Sequence, residues 1–201
     1  MHRTGKGEEA NSSFGPGTEI ALASGMLDEA VLYASVNGSF LVAMGRDTEA
    51  LDAYLVAENL SDGDAHSRLR TARHLLSGMK QPVEALAKVN AVLESPAIDN
   101  LLVHLEARSI RGLALLALNQ NDEVVAELRA ACLEVSSANL ASISLDLTLV
   151  EELSRKHLAT DLCCHYLELV KSKALEEGER SILKKVREIN SFLSHSKSNG
   201  L

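Results

Sequence analysis

One short pattern recurs along this chain and leaves few folds open. The run Gly45-Arg46-Asp47-Thr48-Glu49-Ala50-Leu51-Asp52-Ala53-Tyr54-Leu55-Val56-Ala57 passes from a glycine through a polar turn into a stretch of helical spacing. Ala50, Leu51, Tyr54 and Ala57 fall on one face of that helix. Val83-Glu84-Ala85-Leu86 repeats Glu49-Ala50-Leu51 at an offset of 85 − 50 = 35 residues, with Val89 and Val92 in the places of Tyr54 and Ala57. Glu123-Val124 follows at 124 − 85 = 39, with Leu128 and Ala131 continuing the face. Gly38, twelve residues before Ala50, is matched by Gly112, twelve before Val124. Small residues in these places let two helices approach closely, and one bulky side chain fills the volume between them.

The pattern resembles the tetratricopeptide repeat, a helical pair of about 34 residues. The likeness runs over residues 27–133, through three degenerate units. It implies an all-α fold, an α–α superhelix or right-handed solenoid closed by a C-terminal capping helix. An ordinary helical bundle, whose Ala and Gly recur through packing, is the alternative. In this family the first helices of each pair line a concave groove that takes peptides. The family's contact positions fall on Ser35, Ser39 and Val42, then on Arg70, His74 and Ser77, and then on Glu106, Ser109 and Leu113. Some relatives hold a C-terminal carboxylate with a Lys/Asn/Lys/Arg clamp. The corresponding positions here include Ser35, Ser39, Thr71, Glu106 and Ile110, so that clamp is missing.

Taken in order, residues 1–17 are polar and broken by Gly5, Gly7, Gly15, Pro16 and Gly17. They read as a disordered tail. Gly25 to Ala30 imitates the second half of a unit without a full first helix. Helices are expected over residues 27–44, from Thr48 to about Asn59, over 65–77 capped by Asp64, from Pro82, and over 101–118. Residues 140–154 and 158–172 form a fourth, divergent pair, with Tyr166 at its bulky position. In the last helix, over 179–194, Ile182, Val186, Ile189 and Leu193 make an apolar stripe that suits a terminal cap. The expected layout is therefore one domain over 18–195, with a flexible tail at 196–201.

Composition agrees with helix-on-helix packing. Aromatics are 3% and Trp is absent, so the core must be aliphatic, and three prolines leave few breakers. The formal net charge of −8 argues against a nucleic-acid module, which needs clustered cations. No run reaches the ~18 apolar residues of a membrane span, and no basic-then-apolar leader is present. Cys132, Cys163 and Cys164 make no disulfide framework, so the chain reads as cytoplasmic.

Catalytic and metal patterns are weak. Cys163-Cys164-His165 lacks a second ligand pair and reads as core thiols. His66 and His74 lack a carboxylate pattern and read as solvent-facing or groove-lining. Asp62-Gly63-Asp64 lacks the further acids of a calcium loop, and no glycine-rich phosphate loop occurs. We therefore expect no catalytic residues, cofactor or metal. The expected function is a non-enzymatic module, an adaptor, chaperone or assembly subunit, that binds a polypeptide in the groove, with no nucleic-acid or membrane partner. The alternative is a structural subunit or homo-oligomer that associates through its terminal helix or outer surface.

Overall fold

The computed structural model describes residues 4–96, 100–137 and 145–197. Among them are ten α-helices and no strand, so the protein is all-α. The helices are α1 (Thr4–Ala23), α2 (Leu27–Ala43), α3 (Asp47–Leu60), α4 (Ala65–Ser77), α5 (Pro82–Leu93), α6 (Leu101–Ala117), α7 (Asn121–Ser137), α8 (Thr148–Arg155), α9 (Thr160–Glu177) and α10 (Arg180–Lys197). The expected helix start at Leu140, and most of the expected 196–201 tail, lie outside the described residues.

The helices gather into two compact units, Met1–Val92 and Leu93–Leu201, where one domain over 18–195 was expected. The helices that pack together lie close in the chain, and each set closes its own core. In the first unit α1 packs on α2, α2 on α3 and α3 on α4. In the second, α6 packs on α7 and α8, α7 on α9, and α10 on both α8 and α9.

One turn geometry joins most of these helices. A residue with positive φ ends the first helix, and the next N–H reaches back to a buried residue near that helix's end. Gly25, Gly45, Lys80, Asn119 and His157 hold the left-handed position. The returning bonds are Met26 N–H to Ala21 O (2.9 Å), Arg46 to Leu41 (2.9 Å), Gln81 to Leu75 (2.9 Å), Gln120 to Leu115 (3.0 Å) and Leu158 to Leu153 (3.0 Å). All five acceptors are buried. These bonds satisfy carbonyls that the helix end would leave orphaned.

After four of these turns the same three places are buried. They are held by Ala50, Tyr54 and Ala57 in α3, then by Ala85, Val89 and Val92 in α5, and by Val124, Leu128 and Ala131 in α7. In α9 they are Cys163, Leu167 and Val170. The fourth pair thus keeps the register at 163 − 124 = 39 residues, and Leu167 takes the place that the sequence reading gave to Tyr166. Tyr166 is buried too, one residue round the helix.

The expected N-terminal tail is replaced from Thr4 onward by α1, with Pro16 inside it. Proline removes one helical hydrogen bond and would ordinarily break such a helix. What offsets the loss is a stripe on α2's side: Phe14 stacks on Phe40 at 5.2 Å between centroids, and Thr18 and Ala21 are buried. Phe14 also meets Tyr33, tilted at 6.5 Å.

Two carboxylates tie helices together within their own units. Glu58 of α3 receives Lys88 Nζ from α5 at 2.8 and 2.9 Å, with Arg68 of α4 at 3.7 Å. Glu127 of α7 receives Arg108 and Arg111 of α6 at 3.1 and 2.6 Å, while Arg108 also reaches Glu134 at 2.7 Å. Both glutamates are largely buried, so the pairs fix the helix register more than exposed bridges would.

Asp64 caps α4, accepting from the backbone N–H groups of His66 (2.9 Å) and Ser67 (3.3 Å). Burial alone would push its carboxyl up, but hydrogen bonds from Ser61, Ser67 and the backbone N–H groups hold it below the usual carboxylate range. A depressed folded pKa contributes stability above the unfolded value, and that contribution fades as pH falls toward the folded one. Asp64→Ala should therefore cost about 1 kcal/mol at neutral pH. In denaturant melts the gap to wild type should shrink as pH drops below about 3.9.

Candidate functional site

The nine residues implied by the family resemblance sit on α2, α4 and α6, and packing separates them into two groups. On α2, Ser39 and Val42 are exposed, whereas Ser35 is buried. On α4, Arg70 and Ser77 are exposed, whereas His74 is only 4% exposed. On α6, Glu106 and Leu113 are half-buried, and Ser109 is buried. The surface that α2 and α4 offer is therefore Ser39, Val42, Arg70 and Ser77, and α6 adds Glu106 and Leu113 in its own unit.

The buried members have other work. His74 turns toward α3, where its Nε2 lies 2.7 Å from the Asp47 carbonyl. A carbonyl can only accept, so Nε2 carries the proton and donates. The imidazole meets the Tyr54 ring edge-on, with centroids 5.4 Å apart. This replaces the solvent-facing or groove-lining role expected for His74; His66 is exposed. Tyr54 continues the polar chain: Ser39 Oγ donates to the Ser35 carbonyl at 3.1 Å, and the Tyr54 hydroxyl donates to Ser39 Oγ at 3.2 Å. Ser39 is thus both a surface residue and a prop for the α3 tyrosine.

Ser109 lines a cavity of about 10 Å³ with Leu105, Leu128, Leu149 and Tyr166. Its Oγ is buried without a hydrogen bond among the described residues. The space is of the order that a single water needs. α8 covers this stretch of α6, because Gly112 accepts the Leu149 side chain where any Cβ would clash with Leu149 Cδ2. The sequence match of Gly112 to Gly38 therefore hides a difference. Gly38 faces the tyrosine of the next helix, whereas Gly112 faces a leucine two helices on.

Cys163-Cys164-His165 does not converge. Cys163 is buried, Cys164 is half-buried and His165 is exposed. Among the described residues no group of three or more His, Cys, Asp or Glu is placed to hold a metal ion. Among them, too, no helix is long and apolar enough to cross a membrane.

A larger concavity that the sequence did not reveal lies between α9 and α10, lined by Lys171, Leu175, Leu183, Val186, Arg187 and Asn190. The signal was present in Leu175 and Leu183, which flank the Gly178 turn off the stripe read as a cap. That stripe (Ile182, Val186, Ile189 and Leu193) is itself buried within the unit.

No family model matches this chain, and neither a curated protein nor a solved structure matches it.

Burial pushes the Cys163 thiol up to about 11, so it is held as the neutral thiol at neutral pH. It occupies the place that Ala50 and Ala85 hold in earlier helices. Cys163→Ala should change stability by less than about 1.5 kcal/mol, whereas Cys163→Leu should cost about 1–3 kcal/mol through overpacking. In native protein a thiol reagent should modify Cys164 before Cys163, as peptide mapping can resolve.

Proposed function

We propose that the chain is a non-enzymatic polypeptide-binding module, an adaptor, chaperone or assembly subunit, built as a tetratricopeptide-like superhelix with α10 as its cap. The observation that carries this reading is the recurring hairpin: one left-handed turn, then the same three buried places, in α3, α5, α7 and α9. The packing in the second unit supports it further. There the hairpins α6–α7 and α8–α9 pair first helix with first helix and second with second. Such stacking gives extended faces of first helices rather than one deep pocket. In the first unit a peptide would lie on Ser39, Val42, Arg70 and Ser77; the second unit by itself offers Glu106 and Leu113. Three free cysteines support a cytoplasmic setting.

A second reading is a structural subunit that self-associates through its outer surface. It draws on Ile20, Leu22, Leu27 and Leu32, large apolar side chains exposed on α1 and α2.

The test is affinity capture from the source cells with wild type and with the double variant Val42→Glu/Arg70→Glu, read by mass spectrometry. A polypeptide retained by wild type and lost by the variant, with both baits monomeric in sedimentation, is the expected result. A concentration-dependent dimer broken by Leu32→Asp would favour the second reading. Captured proteins unaffected by the double variant would contradict the first.

A further inference from the structure

The end of the second unit carries an open groove of about 550 Å³ between α9 and α10. Its geometry follows from how α10 is held. At about 100° per residue, Ile182, Val186, Ile189 and Leu193 form the stripe that is buried within the unit. One flank of α10 is tied to α8: Lys185 reaches Glu151 at 2.6 Å, and Arg155 lies over the Phe192 ring at 5.1 Å. The opposite flank presents Leu183, Arg187 and Asn190, and across the groove stand Lys171 and Leu175 of α9.

A single exposed leucine needs no explanation. Here Leu175, 60% exposed, and the half-buried Leu183 line one groove, and a cation on each wall accompanies them. The charge pattern names the occupant. Of the five cations on α10, Arg187 lines the groove, and across it Lys171 makes an exposed pair with Glu168 at 3.0 Å, a weak surface bridge that an incoming carboxylate can replace. From Leu183 to Asn190 the wall runs two helical turns, roughly 10 Å, the length over which a docked helix sets anchors at i, i+3 or i+4, and i+7.

We propose that the α9–α10 groove docks an acidic amphipathic helix of a partner protein, its apolar stripe on Leu175 and Leu183 and its carboxylates on Lys171 and Arg187. This site is separate from the faces of α2, α4 and α6, and it gives the cap a recognition role of its own. The two cations reject basic helices by like-charge juxtaposition.

The test uses the full chain and a phage-displayed library of amphipathic helical peptides of about 18 residues with randomised polar positions. Enriched peptides should be acidic. Their labelled synthetic copies should bind the wild type, and raising salt from about 50 to about 300 mM should weaken binding several-fold. Leu175→Asp and Arg187→Glu should each weaken it about tenfold or more, with circular dichroism unchanged because both side chains are exposed. Arg187→Glu should gain affinity for the same peptide with Lys in place of Glu. Val42→Glu/Arg70→Glu should leave peptide binding intact, which separates this proposal from the fate of the first-helix faces. The proposal is overturned if nothing enriches, if basic peptides enrich equally, or if binding ignores both groove variants. It is equally overturned if Leu175→Asp instead abolishes self-association, or if the groove variants affect only binding to phosphatidylserine vesicles.

Discussion

The first unit depends on a tyrosine ring laid against the backbone of a glycine. A Cβ on Gly38 would stand 2.6 Å from Tyr54 Cε1, inside any allowed contact, so α2 and α3 meet as they do only because position 38 has no side chain. The consequences spread outward. Tyr54 so placed reaches Ser39 with its hydroxyl and offers its ring to His74. His74 in turn binds the Asp47 carbonyl and occupies space that a Cβ on Gly78 would invade, at 2.5 Å from its Cε1. Three helices are thus locked through one aromatic contact, and the buried polar atoms along the way have partners, as a dry interior demands.

The second unit solves the same problem with aliphatic side chains. Leu128 and Leu167 stand where Tyr54 does, and the closest approach moves to Gly112 and Leu149, between α6 and α8. There two hairpins stack and bury each other's faces, with the Tyr166 ring lining the small cavity beside Leu128 and Leu149. The buried ion pairs follow the same division. Glu58 gathers cations from α4 and α5, and Glu127 gathers them from α6, each within its unit.

Much of this was legible because helical hairpins write their geometry locally. The Glu-Ala-Leu runs, Pro82 at a helix start and Asp64 as a cap are short-range signals, and the chain folds accordingly. What escaped was decided by tertiary packing. α1 was obscured by Gly15-Pro16-Gly17, whose local cost is outweighed by Phe14 against Phe40. Cys163 hid the fourth register, since a thiol in an alanine's place breaks the written pattern but not the volume. In the turn before α5 the left-handed position is held by Lys80, and Gly78 makes room for His74. Of the surface residues implied by the resemblance, Ser35, His74 and Ser109 were misjudged because only the neighbouring helices show which flank is covered.

The proposed binding roles rest on helix faces rather than on a pocket. The first helices display Ser39, Val42, Arg70, Ser77, Glu106 and Leu113, whereas α9 and α10 display leucines beside Lys171 and Arg187. Both rest on helices held at close approach, and in the first unit the contact of Gly38 with Tyr54 sets that approach between α2 and α3. A double-mutant cycle tests it most directly, using denaturant melts of Gly38→Ala, Tyr54→Leu and the pair. Gly38→Ala alone should cost about 1–3 kcal/mol, because the ring must shift. In the Tyr54→Leu background, with the side chain that α7 and α9 use in that place, the same substitution should cost little, giving a coupling of about 1 kcal/mol or more. Equal costs in the two backgrounds would contradict the account, because the glycine would then have a purpose other than admitting the ring.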